Sequence, residues 1–243
     1  MIHSSAIIEE GAVIADDVTI GPFCHIGRDV QISAGCKLES NIVLAGKLFI
    51  DENVRIFSFS AIGHEGSEIE IGKKTHLREF TQIGTQSDKS GEEQKIIIGN
   101  DNFIMGYVQI FSGVELGEFC ILTNAVRLYE NVKCEDRVIV GGLSTIEANN
   151  TIGTGVMIGG ASYVTHDIPP FTLVEGNKAS VRALNVIGLR RRLKNKNQID
   201  EIKTIFKKVL GNDVDKELAK EIADTHENEY IKRFVSFIAT SNM

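Results

Sequence analysis

Aliphatic residues recur at every sixth position along the first two thirds of the chain. The register runs unbroken from Ile2 to Ile62, resumes from Ile71 to Ile83, and runs again from Ile98 to Val164, where Cys134 stands in for one aliphatic. A small or β-branched residue follows four positions after most of them. Three such hexads make one triangular coil in which each aliphatic side chain points inward. The pattern therefore predicts an all-β left-handed parallel β-helix of close to nine coils.

Two breaks in this register predict loops. The step from Ile62 to Ile71 is nine residues and the step from Ile83 to Ile98 is fifteen, each three more than a multiple of six. A repeat that is interrupted without losing its core must place the extra residues outside the coil, where loops commonly carry function. We expect a short loop at 63–70 and a longer polar loop at 84–95.

The hexad rule ends after Val164. From Ala179 onward, apolar residues are spaced three and four positions apart, which is typical of amphipathic helices. The sequence therefore predicts two regions in one subunit. These are a β-helix at 1–170 and a C-terminal α-helical region at 171–243.

The composition narrows the possible partners and compartments. Of 243 residues, 42% are hydrophobic and 24% charged, and the formal net charge is −7, which argues against binding to a nucleic acid backbone. No stretch approaches the roughly 18 uninterrupted apolar residues of a membrane span, and the N-terminus has no basic segment followed by an apolar one. We expect a cytoplasmic protein that binds neither nucleic acid nor membrane.

The cysteines are expected to be structural. They form no C-x-x-C pair and have no histidine at metal-ligand spacing around them, so the sequence implies no metal site. Small buried thiols are the expected role of Cys24, Cys36, Cys120 and Cys134.

Several segments carry a family pattern. They are the N-terminal hexads, GNDNFIMGYVQI at 99–110, CILTNAVRL at 120–128, VGGLSTI at 140–146, and DIPPFTLVEGNKASVRALNVIGLRRR at 167–192. Together with the helical tail, they resemble the UDP-N-acetylglucosamine O-acyltransferases that begin lipid A synthesis. The last segment is the most specific, because few hexapeptide proteins continue from an IPP turn through EGN into LNxxGLRRR.

The resemblance implies an activity and its partners. A 3-hydroxyacyl group would pass from the phosphopantetheine thioester of acyl carrier protein, or from acyl-coenzyme A, to the 3-hydroxyl of a UDP-sugar, without a bound cofactor. The flat faces of such a prism favour packing around a threefold axis, so we expect a homotrimer with ligand sites in the clefts between neighbouring prisms.

Several positions depart from the family pattern. The family's catalytic histidine, the general base, falls on Ser112, and the neighbouring substrate-contacting histidine falls on Gln109. The histidine of the family's LAGH motif is Asn131, and that of its HQF motif is Glu147. A loop with a QDLKY-type motif is missing at 63–70. Whether the protein is an enzyme is therefore open at this point.

Other histidines could replace the missing base, and several binding residues are retained. The candidate bases are His64, near the first loop, and His76, in the hexad that begins at Ile71. The resemblance assigns nucleotide-sugar binding to Asn185, Arg191, Arg78 and Lys178, which replaces a family histidine, and the acyl-donor side to Gly141, Gly142 and Arg190.

Three functions are compatible with these observations. The first is an acyltransferase of the lipid A family with a displaced base or a changed acceptor, such as a sugar carrying a 3-amine. The second is a catalytically inactive paralogue that binds nucleotide sugar or carrier protein. The third is a nucleotide-sugar acetyltransferase that uses acetyl-coenzyme A, although the long helical tail favours the lipid A branch.

Overall fold

The protein folds into a triangular prism of parallel strands followed by helices. A computed structural model describes residues 1–85, 94–193, 195–211 and 213–243. Most of the polar loop predicted at 84–95 lies outside the described residues. The short loop predicted at 63–70 is a turn that leads into a strand at Glu68.

Three parallel sheets form the faces of the prism, and consecutive strands occupy successive faces. Face 1 contains β1 (Ile7–Ile8), β4 (His25–Ile26), β7 (Val43–Leu44), β10 (Ala61–Ile62), β13 (Gln82–Thr85), β16 (Gln109–Phe111), β19 (Arg127–Leu128), β22 (Thr145–Ile146) and β25 (Tyr163–Val164). Face 2 contains β2 (Val13–Ile14), β5 (Val30–Ile32), β8 (Lys47–Ile50), β11 (Glu68–Ile71), β14 (Ile96–Ile98), β17 (Glu115–Leu116), β20 (Lys133–Cys134) and β23 (Thr151–Ile152). Face 3 contains β3 (Thr19–Ile20), β6 (Lys37–Leu38), β9 (Arg55–Ile56), β12 (His76–Leu77), β15 (Phe103–Ile104), β18 (Ile121–Leu122), β21 (Ile139–Val140), β24 (Met157–Ile158), β26 (Thr172–Glu175) and β27 (Ser180–Leu184).

The hexad aliphatics line the interior of the prism, as the sequence predicts. Each pairs with its counterpart in the next coil, so that Ile26 lies between Ile8 and Leu44. From Ile20 to Val164 every hexad position in the three registers is buried. The parallel β-helix with hexapeptide repeats is thereby confirmed.

The chain turns at three corners, which we number by the faces they join. The first corner joins faces 1 and 2, the second joins faces 2 and 3, and the third joins faces 3 and 1. Most turns contain a residue with positive φ. Some of these residues have large side chains, for which this conformation is sterically unfavourable. At the second corner this column consists of Gly35, Asn53, Lys74, Asp101, Phe119, Arg137, Gly155 and Phe171.

The helical region begins later than residue 171. Strand β26 still pairs in parallel with β24 on face 3, and β27 then pairs antiparallel with β26, which closes the sheet. Four helices follow: α1 (Val186–Arg192), α2 (Lys196–Leu210), α3 (Lys216–Thr225) and α4 (Glu229–Thr240). Their apolar sides form a second core that includes Phe171 of the prism. The hexad pattern did not predict β26 and β27, because these two strands no longer follow the six-residue spacing.

The four cysteines are free and buried in the prism, as predicted. Burial raises the pKa of the Cys120 thiol to about 12. Within the described residues, no cluster of three or more His, Cys, Asp or Glu side chains is arranged to hold a metal ion. None of the helices in the described chain combines the length and the hydropathy needed to cross a membrane.

Candidate functional site

Ser112 lies at the first corner, directly after β16. Its hydroxyl donates to the carbonyl oxygen of Gln94 over 3.1 Å and accepts from the amide N–H of Gln94 over 2.8 Å. This serine therefore fastens the end of the preceding loop to the prism. The hydroxyl proton and one of its lone pairs are thus engaged with the backbone. Because a serine hydroxyl is also a poor base, Ser112 cannot act as the family histidine does.

Amides occupy two further positions at which the family has histidines. Gln109, on the outer side of face 1, donates from Nε2 to Oε1 of Gln82 over 2.8 Å. Asn131, in the coil after Ser112, donates from Nδ2 to Oδ1 of Asn149 over 3.0 Å. Neither amide titrates in the physiological range, so these two ladders bind neighbouring coils together and supply no general base.

A carboxylate replaces another family histidine at the first corner. Glu147, which replaces the histidine of the HQF motif, accepts a short hydrogen bond from the phenol of Tyr163. That bond is the main reason that the pKa of Tyr163 is raised. The sequence contained the signal, because a glutamate stood at a family histidine position, but Glu147 was not among the candidate bases. The rings of Phe111 and Tyr129 stack at 4.8 Å in the coils below it.

His64 shares the first corner with Ser112. It lies in the turn between β10 and β11, where its backbone N–H donates to Oγ of Ser67 over 3.0 Å and its Nδ1 is 2.8 Å from the carbonyl oxygen of Glu65. Two coils separate it from Ser112, or about 10 Å at the usual strand spacing. Glu147 lies two coils from Ser112 in the opposite direction.

His76 lies on a different surface. Its side chain projects from β12 on face 3, between Arg55 and Phe103 in the neighbouring strands. Burial lowers its pKa, and the positive charges of Arg55 and Arg78 lower it further. The lowered pKa favours the neutral imidazole, the form that can act as a base, but His76 lies on face 3, whereas Gln109 lies on face 1 and Ser112 at the first corner.

Arg78 is committed to a local ion pair. Its guanidinium donates to both carboxylate oxygens of Glu79 over 2.9 and 3.1 Å and lies 4.7 Å above the ring of Phe57. The same hydrogen bonds are the main cause of the lowered pKa of Glu79. A ligand that binds to Arg78 at the third corner would therefore compete with the carboxylate of Glu79.

Two of the candidate nucleotide residues, Asn185 and Arg191, lie at the start of α1 and on it. Asn185 caps this helix by accepting from the N–H of Gly188 over 2.9 Å, and its amide also donates to the carbonyl oxygen of Gly155 over 3.1 Å. Arg190 and Arg191 are exposed in the last turn of α1. Lys178 is exposed in the connection between β26 and β27.

The two glycines assigned to the acyl-donor side lie at the third corner, where coils approach closely. A Cβ atom on Gly141 would be 2.4 Å from the amide nitrogen of Gly160, which no real side chain could tolerate. A Cβ on Gly142 would be 3.2 Å from the carbonyl oxygen of Asn124. Side chains are therefore excluded at Gly141 and restricted at Gly142, while Leu143 in the same turn is exposed.

The candidate residues do not meet in one cleft of a single chain. His64, Gln109 and Ser112 follow the first corner and face 1, whereas Arg78 and the two glycines follow the third corner. Face 1 separates these two columns. A complete site from these residues requires the first corner of one prism to approach the third corner of another.

The fold and the motifs define a class of proteins, the hexapeptide-repeat transferases. Residues 5–40 match the family model described as bacterial transferase hexapeptide, six repeats. Residues 167–243 match the model described as UDP N-acetylglucosamine O-acyltransferase, domain 2. The chain belongs to the UDP-N-acetylglucosamine O-acyltransferase family.

Relatives at full length agree with this assignment. An acyl-(acyl-carrier-protein) UDP-N-acetylglucosamine O-acyltransferase of Aliarcobacter butzleri is 42% identical over 248 residues, covering 98% of this chain and 94% of that protein. The structure of the UDP-N-acetylglucosamine acyltransferase from Campylobacter jejuni superposes with a TM-score of 0.92 at 35% identity, covering 100% and 97% of the two chains. The Francisella novicida enzyme superposes with a TM-score of 0.89 at 29% identity, covering 99% and 92%.

Proposed function

We propose that the protein transfers a 3-hydroxyacyl group from acyl carrier protein to a UDP-N-acetylglucosamine-type sugar, the first acylation of lipid A synthesis. The observation that carries this proposal is the C-terminal region, which matches the family's own domain model and folds so that α1 presents Asn185 and Arg191 beside the prism. The names of the relatives specify a carrier-protein donor, so an acetyl-coenzyme A donor has no support among them.

The reaction itself defines what the chain must supply. A nucleophile on the sugar attacks the thioester carbonyl, the carbon–sulfur bond breaks, and the phosphopantetheine thiol leaves with the proton that the nucleophile loses. When the nucleophile is a hydroxyl, that proton must be removed as the attack proceeds, and a positioned base contributes about 10²–10⁴-fold. Neither Ser112 nor Gln109 can accept this proton, because a hydroxyl and an amide are not bases in the physiological pH range.

We further propose that the acceptor of this protein carries a 3-amine in place of the 3-hydroxyl. A neutral amine is nucleophilic enough to attack the thioester before it loses a proton, so loss of the histidine costs less than it does for a hydroxyl. A residual base is still useful for the ammonium proton of the intermediate. His64, at the first corner, is the first candidate for that role, and His76, on face 3, is the second.

The same geometry supports a homotrimer around face 1. The residues that project outward from face 1 include a single permanently charged side chain, Arg127, whereas face 2 carries ion pairs such as Lys47–Glu68 at 3.1 Å and Lys133–Glu115 at 2.9 Å. Charged residues are depleted in the centres of protein interfaces. With face 1 turned toward a threefold axis, the Ser112 column of one subunit would lie beside the Gly142 column of the next.

Three finer features complete this proposal. We propose left-handed winding of the prism, which the hexad pattern predicts, a site that needs no bound cofactor beyond the phosphopantetheine of the donor, and a cytoplasmic location, where acyl carrier protein is available. Light scattering coupled to gel filtration tests the trimer, and an experimental structure of the protein tests the winding.

Binding and turnover on the purified protein test the activity. UDP-N-acetylglucosamine and its 3-amino analogue are titrated by calorimetry, and acyl transfer from 3-hydroxyacyl carrier protein to each is then measured. We expect transfer to the amine to exceed transfer to the hydroxyl. H64Q and H76Q identify the residual base, and H25Q, in an N-terminal coil, is the matched control. Binding of both sugars without transfer to either would overturn the proposal and leave a ligand-binding relative without catalysis.

A further inference from the structure

A cavity separates the second corner of the prism from helix α4. Its volume is about 560 Å³, within the range of small-molecule sites. The prism contributes Arg137, Thr154 and Phe171, α1 contributes Arg192, and α4 contributes Lys232 and Arg233. The lining thus combines four cations with two carboxylates, two aromatic side chains and several hydroxyls, so it carries a net positive charge. It lies at a different corner from Ser112.

Two of these guanidinium groups lie on adjacent levels of one stack. Arg137 lies 4.4 Å from the ring centre of Phe119 below it, and Arg192 lies 6.0 Å from that of Phe171 above. Gly155 occupies the level between Arg137 and Phe171, and Arg192 fills the space left by its missing side chain. A Cβ atom on Gly155 would be 2.6 Å from Nη1 of Arg192. The corner therefore continues as ring, guanidinium, guanidinium, ring.

Neither arginine forms an ion pair or a side-chain hydrogen bond in the described part of the chain. Each guanidinium lies over an aromatic ring, and Arg192 is half-buried. Burial lowers the pKa of Arg192 and the nearby positive charge of Arg137 lowers it further, whereas Tyr230 and Asp136 act in the opposite direction. Two like charges stacked in a partly buried position repel each other unless an anion lies between them or beside them.

Two of the carboxylates near the cavity already accept hydrogen bonds from other groups. Glu135 accepts from the backbone N–H of Thr154 over 2.7 Å and from Nη2 of Arg233 over 3.0 Å. Asp136 accepts from the backbone N–H of Glu118 over 3.0 Å. Glu229 also borders the cavity and is exposed at the start of α4. The lining keeps a positive excess that these acids do not cancel.

We propose that this cavity is a binding site for a phosphoryl or diphosphoryl group of a small ligand, held by Arg137 and Arg192 with Arg233 and Lys232 at its rim. Guanidinium groups match phosphate oxygens through paired, charge-assisted hydrogen bonds, which makes phosphate the anion that such an arrangement favours. The inference stands on the cavity and its charges and does not depend on the acyltransferase activity.

Calorimetric titration with inorganic pyrophosphate at fixed ionic strength tests the site on the full-length protein. We expect one saturable site per chain, and an affinity at least about 10-fold lower in R137Q, because one charge-assisted pair is lost. The matched control is R28Q, which removes an exposed arginine from an N-terminal coil and should bind pyrophosphate like the parent. Arg137 is exposed, so R137Q is expected to fold, and circular dichroism checks that it does.

The outcomes decide the proposal and identify the source of the phosphate. Absence of saturable binding, or equal binding by R137Q and the parent, would overturn it. R192K provides a second reading, since a lysine keeps the charge but loses the paired geometry, and it should also weaken binding. Parallel titrations with UDP and with 4′-phosphopantetheine show which natural phosphate depends on Arg137. A failure of acyl transfer with pyrophosphate binding intact would refute the proposed activity alone.

Discussion

The first and second corners of the prism have the same backbone geometry, but their outward polar side chains differ in whether they have partners within the chain. At the first corner the polar groups that replace family histidines are satisfied within the chain: Ser112 by Gln94, Asn131 by Asn149, and Glu147 by Tyr163. At the second corner two guanidinium groups face a cavity without a hydrogen bond or ion pair among the described residues.

The two corners show that the residues required for folding of the β-helix differ from the residues available for ligand binding. The rungs are held by backbone hydrogen bonds and inward aliphatics, so an outward histidine can become an amide or a serine without loss of the coil. Such a replacement tends to be absorbed into ladders between coils, as at the first corner. At the second corner, the described contacts between coils do not neutralise the two guanidinium groups. An anionic ligand would neutralise them.

The largest expected effect concerns Phe171, which joins the second corner to the helices. The ring is buried and packs against Tyr230 at 5.5 Å between ring centres. Replacement by alanine should lower the free energy of unfolding by about 3–5 kcal/mol. F23A is the control, because Phe23 also has positive φ but is 66% exposed and should change stability by less than about 0.5 kcal/mol. Denaturant unfolding of both variants measures the contrast, and equal losses would contradict it.

Gly155 should show the next largest effect. A valine there would adopt a disfavoured positive φ and displace the guanidinium of Arg192, at a combined cost of about 2–4 kcal/mol. Asn131 has the equivalent conformation at the first corner, and N131G should cost less than about 1 kcal/mol because glycine accepts that conformation. Urea unfolding of G155V and N131G compares the two corners directly, and a larger loss in N131G would reverse the comparison.

Ser112 provides a smaller and more specific test. S112A removes the hydrogen bonds to the Gln94 backbone and should lower stability by about 1 kcal/mol. The rate of acyl transfer should stay within about 10-fold of the parent, whereas loss of a true base costs about 10²–10⁴-fold. A collapse in the rate, with stability unchanged, would mean that the serine acts in the reaction.

His76 should show the smallest effect, as a dependence of stability on pH. Its pKa is lower in the folded protein than in the unfolded chain, so protons bind preferentially to the unfolded state. The contribution of His76 is therefore fully retained above the ordinary histidine pKa of about 6.5 and is lost as the pH falls below that value. H76Q should flatten this part of the profile between pH 7 and 5. An unchanged slope in H76Q would exclude the histidine as its source.

The prism was predictable from the sequence, and the placement of the site residues was only partly so. The hexad spacing predicts that every sixth residue points into the prism, so Ile20 and Ile110 could be placed in the core from their positions alone. Strand β27 could not be predicted, because it pairs antiparallel and ends the repeat. The pairing of Ser112 with Gln94 depends on where a loop returns to the prism, and the stacking of Arg192 over Gly155 depends on how α1 packs, which no local pattern encodes.

The fixed spacing of the coils also sets how the molecule can change in length. Each turn of eighteen residues advances the prism by about 4.8 Å, and partners such as Ile8 and Ile26 stay aligned only when that count is kept. An insertion or deletion of a whole turn would move every later column by one level and keep all side chains on their faces. One or two hexads would keep the inward aliphatics but move every later residue to another face, and a number that is not a multiple of six must leave the prism as a loop. The distance along the prism axis between two ligand-binding residues can therefore change only in steps of one coil.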